Sequence, residues 1–331
     1  MIRSASAFFC LLVLFGFSTE GFAQTYRQKL TSAGIFFVNA DKNNPSVCNN
    51  GQSLCGAGND GVTAAQALSP STPFATLAQA ISVAVNTYDF SGQPPIFDLA
   101  HGTSPAYGGV AFGNGLVGAT AMKVRGDSTA PTAVGLVANS TAAAIWMTHF
   151  IVMHLENLAI VDGGGAVYGV VADGWAGLDL GNVTCQSFNP AAFCVRLSNY
   201  SHLECEYPNN NLPGLIVGGD MGGLVDLQNS FWNCGPSGPN LPPGFGTVSI
   251  PNPVTFAVAG VRSKGNGLLQ NLNANTFVGA GVAGTMGPRA ILQGPGYMTT
   301  SPVASATCDQ IFKWNGAPCQ LTQGFHDDAG E

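Results

Sequence analysis

Short stretches in which apolar and polar residues alternate make up most of this chain, and one such stretch returns at a near-regular interval. Met153-His-Leu-Glu-Asn157 is followed by Leu178-Asp-Leu-Gly-Asn182, Leu203-Glu-Cys-Glu-Tyr207, Val225-Asp-Leu-Gln-Asn229 and Leu269-Gln-Asn-Leu-Asn273. The starts, at 153, 178, 203, 225 and 269, are 25, 25, 22 and 44 residues apart, and 44 is two intervals of 22. Alternation with period two marks a β-strand with one buried face. A repeat of this length in strand-forming sequence predicts a solenoid, in which each unit buries its apolar side against its neighbours. Further strands of each turn are predicted at Ala192–Leu197, Gly214–Val217, Phe256–Val261 and Arg289–Gln293, after an opening strand at Ile35–Asn39. The stretch from Cys234 to Val254 holds six Pro and predicts a loop leaving the body.

The period changes once. Phe74, Leu77, Ile81 and Val85 are spaced for one face of a helix, with Thr72 as N-cap and Pro73 at the first helical position. A polar, Gly-rich loop from Asp41 to Gly61 separates this helix from the opening strand. An open solenoid end exposes unpaired backbone groups. The helix is expected to cap one end, and a disulfide-closed tail from Cys308 to Cys319 the other.

Stacking the repeated phrase in register, with strands about 4.8 Å apart, predicts two columns. The fifth position holds Asn157, Asn182, Tyr207, Asn229 and Asn273, and the Asn side chains are expected to form an amide hydrogen-bond ladder at a bend. The second position holds His154, Asp179, Glu204 and Asp226 between apolar neighbours, so this column points outward. No Lys or Arg falls in it on this alignment. Stacked carboxylates repel unless solvent, proton uptake or a cation relieves them. Asp179, Glu204 and Asp226 are therefore a candidate Ca²⁺ site, the alternative being a solvated acidic stripe. A second set, Asp173, Arg196, Asp220, Arg262 and Lys264, lies earlier in each turn.

Composition narrows the class. Of 331 residues, 46% are hydrophobic, 9% are charged and 44 are Gly, which with short strands and many turns reads as all-β. The net charge of −7 excludes nucleic acid as the natural partner and leaves cations, neutral glycans, or acidic glycans bridged by a metal. Arg3, the apolar run Phe8–Phe17 and Gly21-Phe22-Ala23 form a signal-peptide pattern with cleavage before Gln24, and the run is too short to span a membrane. Of nine Cys, Cys10 lies in the leader; the other eight fall by proximity into Cys48 and Cys55, Cys185 and Cys194, Cys205 and Cys234, and Cys308 and Cys319. Such loop staples suit a periplasmic or extracellular compartment. Their spacing lacks the close pairs of zinc sites. The expected organisation is a signal peptide at 1–23, a strand, loop and capping helix at 24–90, solenoid turns at 91–300 with a long loop at 234–254, and a disulfide cap and flexible tail at 301–331.

The opening Phe-Val-Asn, then Asn59-Asp60-Gly61, then Leu68-Ser-Pro-Ser-Thr-Pro-Phe-Ala-Thr-Leu-Ala-Gln-Ala-Ile81 resembles the N-terminal entry of secreted right-handed parallel β-helix proteins of the pectin-lyase-like superfamily. Pro95-Ile-Phe-Asp-Leu-Ala-His-Gly102 with Tyr107-Gly-Gly109 resembles that family's first full turn. The resemblance implies a right-handed β-helix with a capping helix. It also implies one chemistry, a metal-bridged acidic sugar with Arg or Lys as base, for which Arg196, Arg262 and Lys264 are the candidates. A glycosidase on the same fold instead uses two carboxylates about 6.5–9.5 Å apart if inverting, to be sought among Asp179, Glu204 and Asp226. The chain departs from the family's catalytic phrases: it has no Asn-Thr-Asp, Gly-His-Gly or Arg-Ile-Lys, and its one Asp-Asp pair, Asp327-Asp328, lies in the tail. The expectation is a secreted, non-catalytic β-helix that binds a polysaccharide or cell-surface glycan or serves as an adhesin or surface structure. The alternative is a polysaccharide lyase or glycoside hydrolase.

Overall fold

A computed structural model describes residues 27–40, 68–101, 107–113, 116–149, 151–186, 188–205, 212–235, 246–270, 276–293, 296–299 and 324–327. The leader, Tyr207, Asn273 and Cys48, Cys55, Cys308 and Cys319 lie outside the described residues. The described chain is mostly β, with long parallel sheets and one α-helix. A seven-stranded sheet runs in the order Val110–Phe112, Ile145–Thr148, Tyr168–Asp173, Phe193–Ser198, Met221–Gln228, Phe256–Lys264 and Ala290–Gln293. A fourteen-stranded sheet has a main run from Ile35–Val38 through Ile96–Leu99, Ala121–Arg125, Val152–Asp162, Gly177–Cys185, His202–Glu204, Phe231–Asn233, Leu268–Gln270 and Gly296–Thr299 to Gly324–Asp327. A branch off this run contains Gly135–Ala138, Leu215–Val217, Val248–Ser249 and Phe277–Val278. In each sheet the strand order follows chain order, so successive passes of the chain stack on one another, consistent with an all-β parallel solenoid.

The inner faces follow from the alternation. Met153, Leu178, Leu203, Trp232 and Leu269 are in register and buried. Val170, Val195, Val225 and Val261 line the seven-stranded sheet in the same way. Each fully buried side chain of this size contributes about 1.5–3 kcal/mol.

This register corrects the alignment expected from the phrases. Val225-Asp-Leu-Gln-Asn229 belongs to the seven-stranded sheet, where Val225 pairs with Val195 and Val261. The fourth member of the Met153 column is Trp232. Both strands of a pass have one buried face, so both carry the same alternation, and a spacing of 22 led from one sheet into the other.

Strands Val152–Asp162 and Gly177–Cys185 serve both parts of the larger sheet. Residues before Asn157 and Asn182 pair along the main run, and residues after them pair with the branch. The two Asn residues make the bend with φ of 55° and 56°, left-handed values that Asn adopts more readily than other non-Gly residues. The expected loop at 234–254 is also partly built into the body. Val248 and Ile250 are buried, and Val248 pairs with Leu215 and Phe277.

The helix runs Leu77–Thr87 and is capped by Thr76, whose Oγ1 accepts from Gln79 N at 3.1 Å. Thr72 is not the cap. Phe74 instead bridges to Val38, its N–H donating to Phe37 O and its carbonyl accepting from Asn39 N, both at 2.8 Å. That pairing draws the Phe74 ring into the core and delays the helix by one turn. Leu77, Ala80, Ile81 and Ala84 face inward, and the helix packs on Ile35–Val38, the first strand of the main run. Beneath it Phe36 contacts Phe74, Tyr88, Phe90 and Phe97 at centroid distances of 5.3–6.5 Å.

Disulfides join Cys185 to Cys194 and Cys205 to Cys234, with Cα separations of 5.9 and 4.9 Å. All four Cys are buried, and such bridges point to an oxidising environment. Among the described residues no helix is long and apolar enough to cross a membrane.

Candidate functional site

Two outer faces carry the charged residues. On the main run, Lys123, His154, Asp179, Glu204 and Asn233 form one column. The column is thus not purely acidic: Lys123 heads it, and Asp226 is absent from it. Lys123 Nζ lies 3.2 Å from Glu156 Oε1, and His154 Nδ1 lies 2.8 Å from Asp179 Oδ2. Beside them Arg125 donates to Asp98 Oδ2 at 2.8 Å, and that hydrogen bond raises the guanidinium pKa against the opposing effect of burial. Asp179 Oδ1 is buried and has no hydrogen-bond partner among the described residues. The His202 ring fills the space above Gly177, where a Cβ would lie 2.5 Å from its Cε1.

These donors do not fit a Ca²⁺ site. A hard cation needs several convergent oxygens, whereas Asp179 faces an imidazole and Asp226 is in the other sheet. Among the described residues no group of three or more His, Cys, Asp or Glu is arranged to hold a metal ion.

The outer face of the seven-stranded sheet brings together Arg196, Asp226 and Arg262, in register with Trp146 and Val171. Arg262 Nε donates to Asp226 Oδ1 at 2.7 Å, and Asp226 is only 2% exposed. The Arg262 guanidinium lies 4.3 Å from the Phe193 ring centre, and that of Arg196 lies 4.8 Å from the Tyr168 ring centre. Arg196 also donates to Gln228 Oε1 at 2.9 Å, while its Nε is buried with no hydrogen-bond partner among the described residues. Tyr168 continues into a shallow cavity of about 120 Å³ lined by Trp146, Val167, Asn139, Ser140 and Thr141. Trp146 is 46% exposed. The face therefore offers an aromatic surface, an adjacent guanidinium and short polar side chains. Asp220 serves the backbone instead, accepting from Thr255 N at 2.6 Å.

The remaining candidates separate by position. Asn182 Nδ2 donates to Asn157 Oδ1 at 2.8 Å. Asn229 lies at a different corner, after the seven-stranded sheet, and its Oδ1 accepts from Asn266 N at 3.0 Å. Lys123, Trp146, Tyr168 and Gln228 were not singled out by sequence reasoning. Trp146 had a legible signal: in Ile145-Trp-Met-Thr148 it takes the outward position that alternation reserves for a polar residue.

No protein-family model matches the chain, and neither a curated protein nor a solved structure is found to be similar to it.

Proposed function

We propose that the chain is a secreted right-handed parallel β-helix of pectin-lyase-like type that binds a polysaccharide or cell-surface glycan along the outer face of its seven-stranded sheet, without cleaving it. The observation that carries this reading is the exposed Trp146 beside Tyr168 and the Arg196–Gln228 pair. A pyranose has an apolar C–H face for the indole and hydroxyls for the amide and guanidinium, and an aromatic wall with a few convergent polar groups is the usual composition of a ligand site. The pairing of Asp226 with Arg262 supports binding over acid–base chemistry on this face, because Asp226 Oδ1 is taken up by the guanidinium.

Affinity electrophoresis and calorimetry with hexagalacturonate and xylohexaose test the reading. Trp146→Ala is expected to weaken binding about tenfold or more, as truncation of a Trp anchor does. Equal affinity of variant and wild type would remove Trp146 from the site.

A second reading, a lyase or hydrolase, rests on the His154–Asp179 pair with Glu204 in the next strand. An imidazole oriented by a carboxylate is the arrangement of a general base. New absorbance at 235 nm or new reducing ends on incubation with either polymer, lost in His154→Gln, would favour it.

A further inference from the structure

The seven-stranded sheet and the main run are joined by short corners that stack like the strands. Strand ends Asp173, Ser198, Gln228 and Lys264 are in register, as are the strand starts Gly177, His202, Phe231 and Leu268. The corners between them are therefore 174–176, 199–201, 229–230 and 265–267. The first two place an aromatic residue at the middle position, Trp175 and Tyr200. Their rings stack at 4.9 Å with planes 22° apart, and they are 56% and 47% exposed.

Both residues are left-handed, with φ of 69° and 68°. A Cβ clashes with the carbonyl in this region, so bulky side chains avoid it and Gly or Asn fills it. The same corners use Gly174, Asn199, Asn229 and Gly265 at their first positions, all with positive φ. The fold thus has an unstrained solution nearby, yet it holds two large rings in strained backbone and turns them to solvent. Strain kept for exposed rings is a reason to look for a ligand.

The third corner is one residue shorter. Ser230 is buried, with its Oγ donating to Gln228 O at 2.9 Å. Asn229 turns its Oδ1 to Asn266 N in the corner beyond. Among the described residues, no other aromatic ring stacks on Tyr200. The ladder of rings ends in a step one strand spacing high, about 4.8 Å, which is the thickness of one more stacked ring. The corners beyond it carry Asn229, whose carbonyl accepts from Tyr200 N at 2.7 Å, and the exposed Asn266.

We infer that this step is a sugar-stacking site: a pyranose of the glycan lays its C–H face on the Tyr200 ring, continuing the stack where the next corner carries no ring, and turns its hydroxyls to the polar corner residues Asn229 and Asn266. The inference rests on the glycan reading above and adds to it a second contact at the corner, separate from Trp146. A pyranose suits the step better than an apolar peptide side chain, because the corners that follow Tyr200 in the stack, 229–230 and 265–267, carry Asn, Ser and Gly and no apolar side chain.

The test uses the full mature protein, with hexagalacturonate and xylohexaose as probes, and measures affinity and thermal midpoint together. Tyr200→Gly is expected to lose about tenfold in affinity for at least one probe, with a midpoint unchanged or raised because glycine relieves the left-handed strain. Tyr200→Phe keeps the ring and is expected to bind within about twofold of wild type. In a Trp146→Phe, Trp314→Phe background, which leaves Trp175 and the buried Trp232, saturating probe is expected to shift Trp emission, because Trp175 lies beneath the occupied ring. Affinity of Tyr200→Gly equal to wild type, with Trp146→Ala weakened, overturns the corner site and leaves the glycan reading standing. A lowered midpoint in Tyr200→Gly without loss of affinity makes the ring pair structural and also overturns it. If wild type binds neither probe, both readings fall.

Discussion

Asp226 and Arg262 show how a single pairing changes what a residue can do. Read from its neighbours in sequence, Asp226 belongs to an outward acidic stripe. In the folded chain it is buried and ion-paired with a guanidinium that also lies over Phe193. Removing one member of a buried pair leaves the other uncompensated, at a cost of about 3–5 kcal/mol. Asp226→Ala should therefore lower the denaturant midpoint sharply, and adding Arg262→Met should recover part of the loss. A mild effect of Asp226→Ala would mean that the pair is solvated. Asn182 gives a second test. Its φ of 56° and its bond to Asn157 make opposite demands on a substitute. Asn182→Ala keeps neither and should cost about 1–3 kcal/mol from strain and the lost hydrogen bond. Asn182→Gly relieves the strain and should cost less. The reverse order, read by equilibrium unfolding, would show that the backbone at Asn182 is relaxed.

At the scale of the element, the helix existed in the sequence but its start did not. Thr72-Pro73 is a good capping pair by local rules, as is Thr76 three residues before Gln79. The choice was made by Phe74, whose backbone pairs with Phe37 and Asn39 and whose ring completes the aromatic cluster around Phe36. Thr76→Ala should cost about 1 kcal/mol, the usual worth of an N-cap. No loss in equilibrium unfolding would mean that the Thr76 cap carries nothing. The corners behave alike. That Asn and Gly mark bends was legible in Asn157 and Asn182. That Trp175 and Tyr200 would also stand in left-handed backbone was not, because no propensity favours a bulky ring there.

Across the whole molecule, stability comes from stacked passes, each held by its neighbours, with one disulfide, Cys185–Cys194, joining the two sheets and another joining two passes. The Cys205–Cys234 bridge links the ends of two adjacent main-run strands across 29 residues. Replacing both by Ala should cost about 2–4 kcal/mol, seen as a lower thermal midpoint, and reducing agent should act in the same direction on wild type. No change on either treatment would mean that the pass is held by pairing alone. The pairings of Cys185 with Cys194 and of Cys205 with Cys234 are those that proximity along the chain suggests, and the fold forms both.

That this chain is mostly β with period-two strands, that it repeats at a near-regular interval, that a helix follows the first strand and that Asn marks a bend are all legible in the order of its residues. These are local properties: side-chain alternation, turn chemistry and capping act over a few residues. Which sheet each repeated phrase occupies is settled by the folded chain. It put Asp226 beside Arg196 and Arg262, placed Lys123 above His154, and left a one-residue step over Tyr200. Two strands with the same alternation are interchangeable on paper, and what tells them apart is the length of every connection summed around a closed pass of the chain.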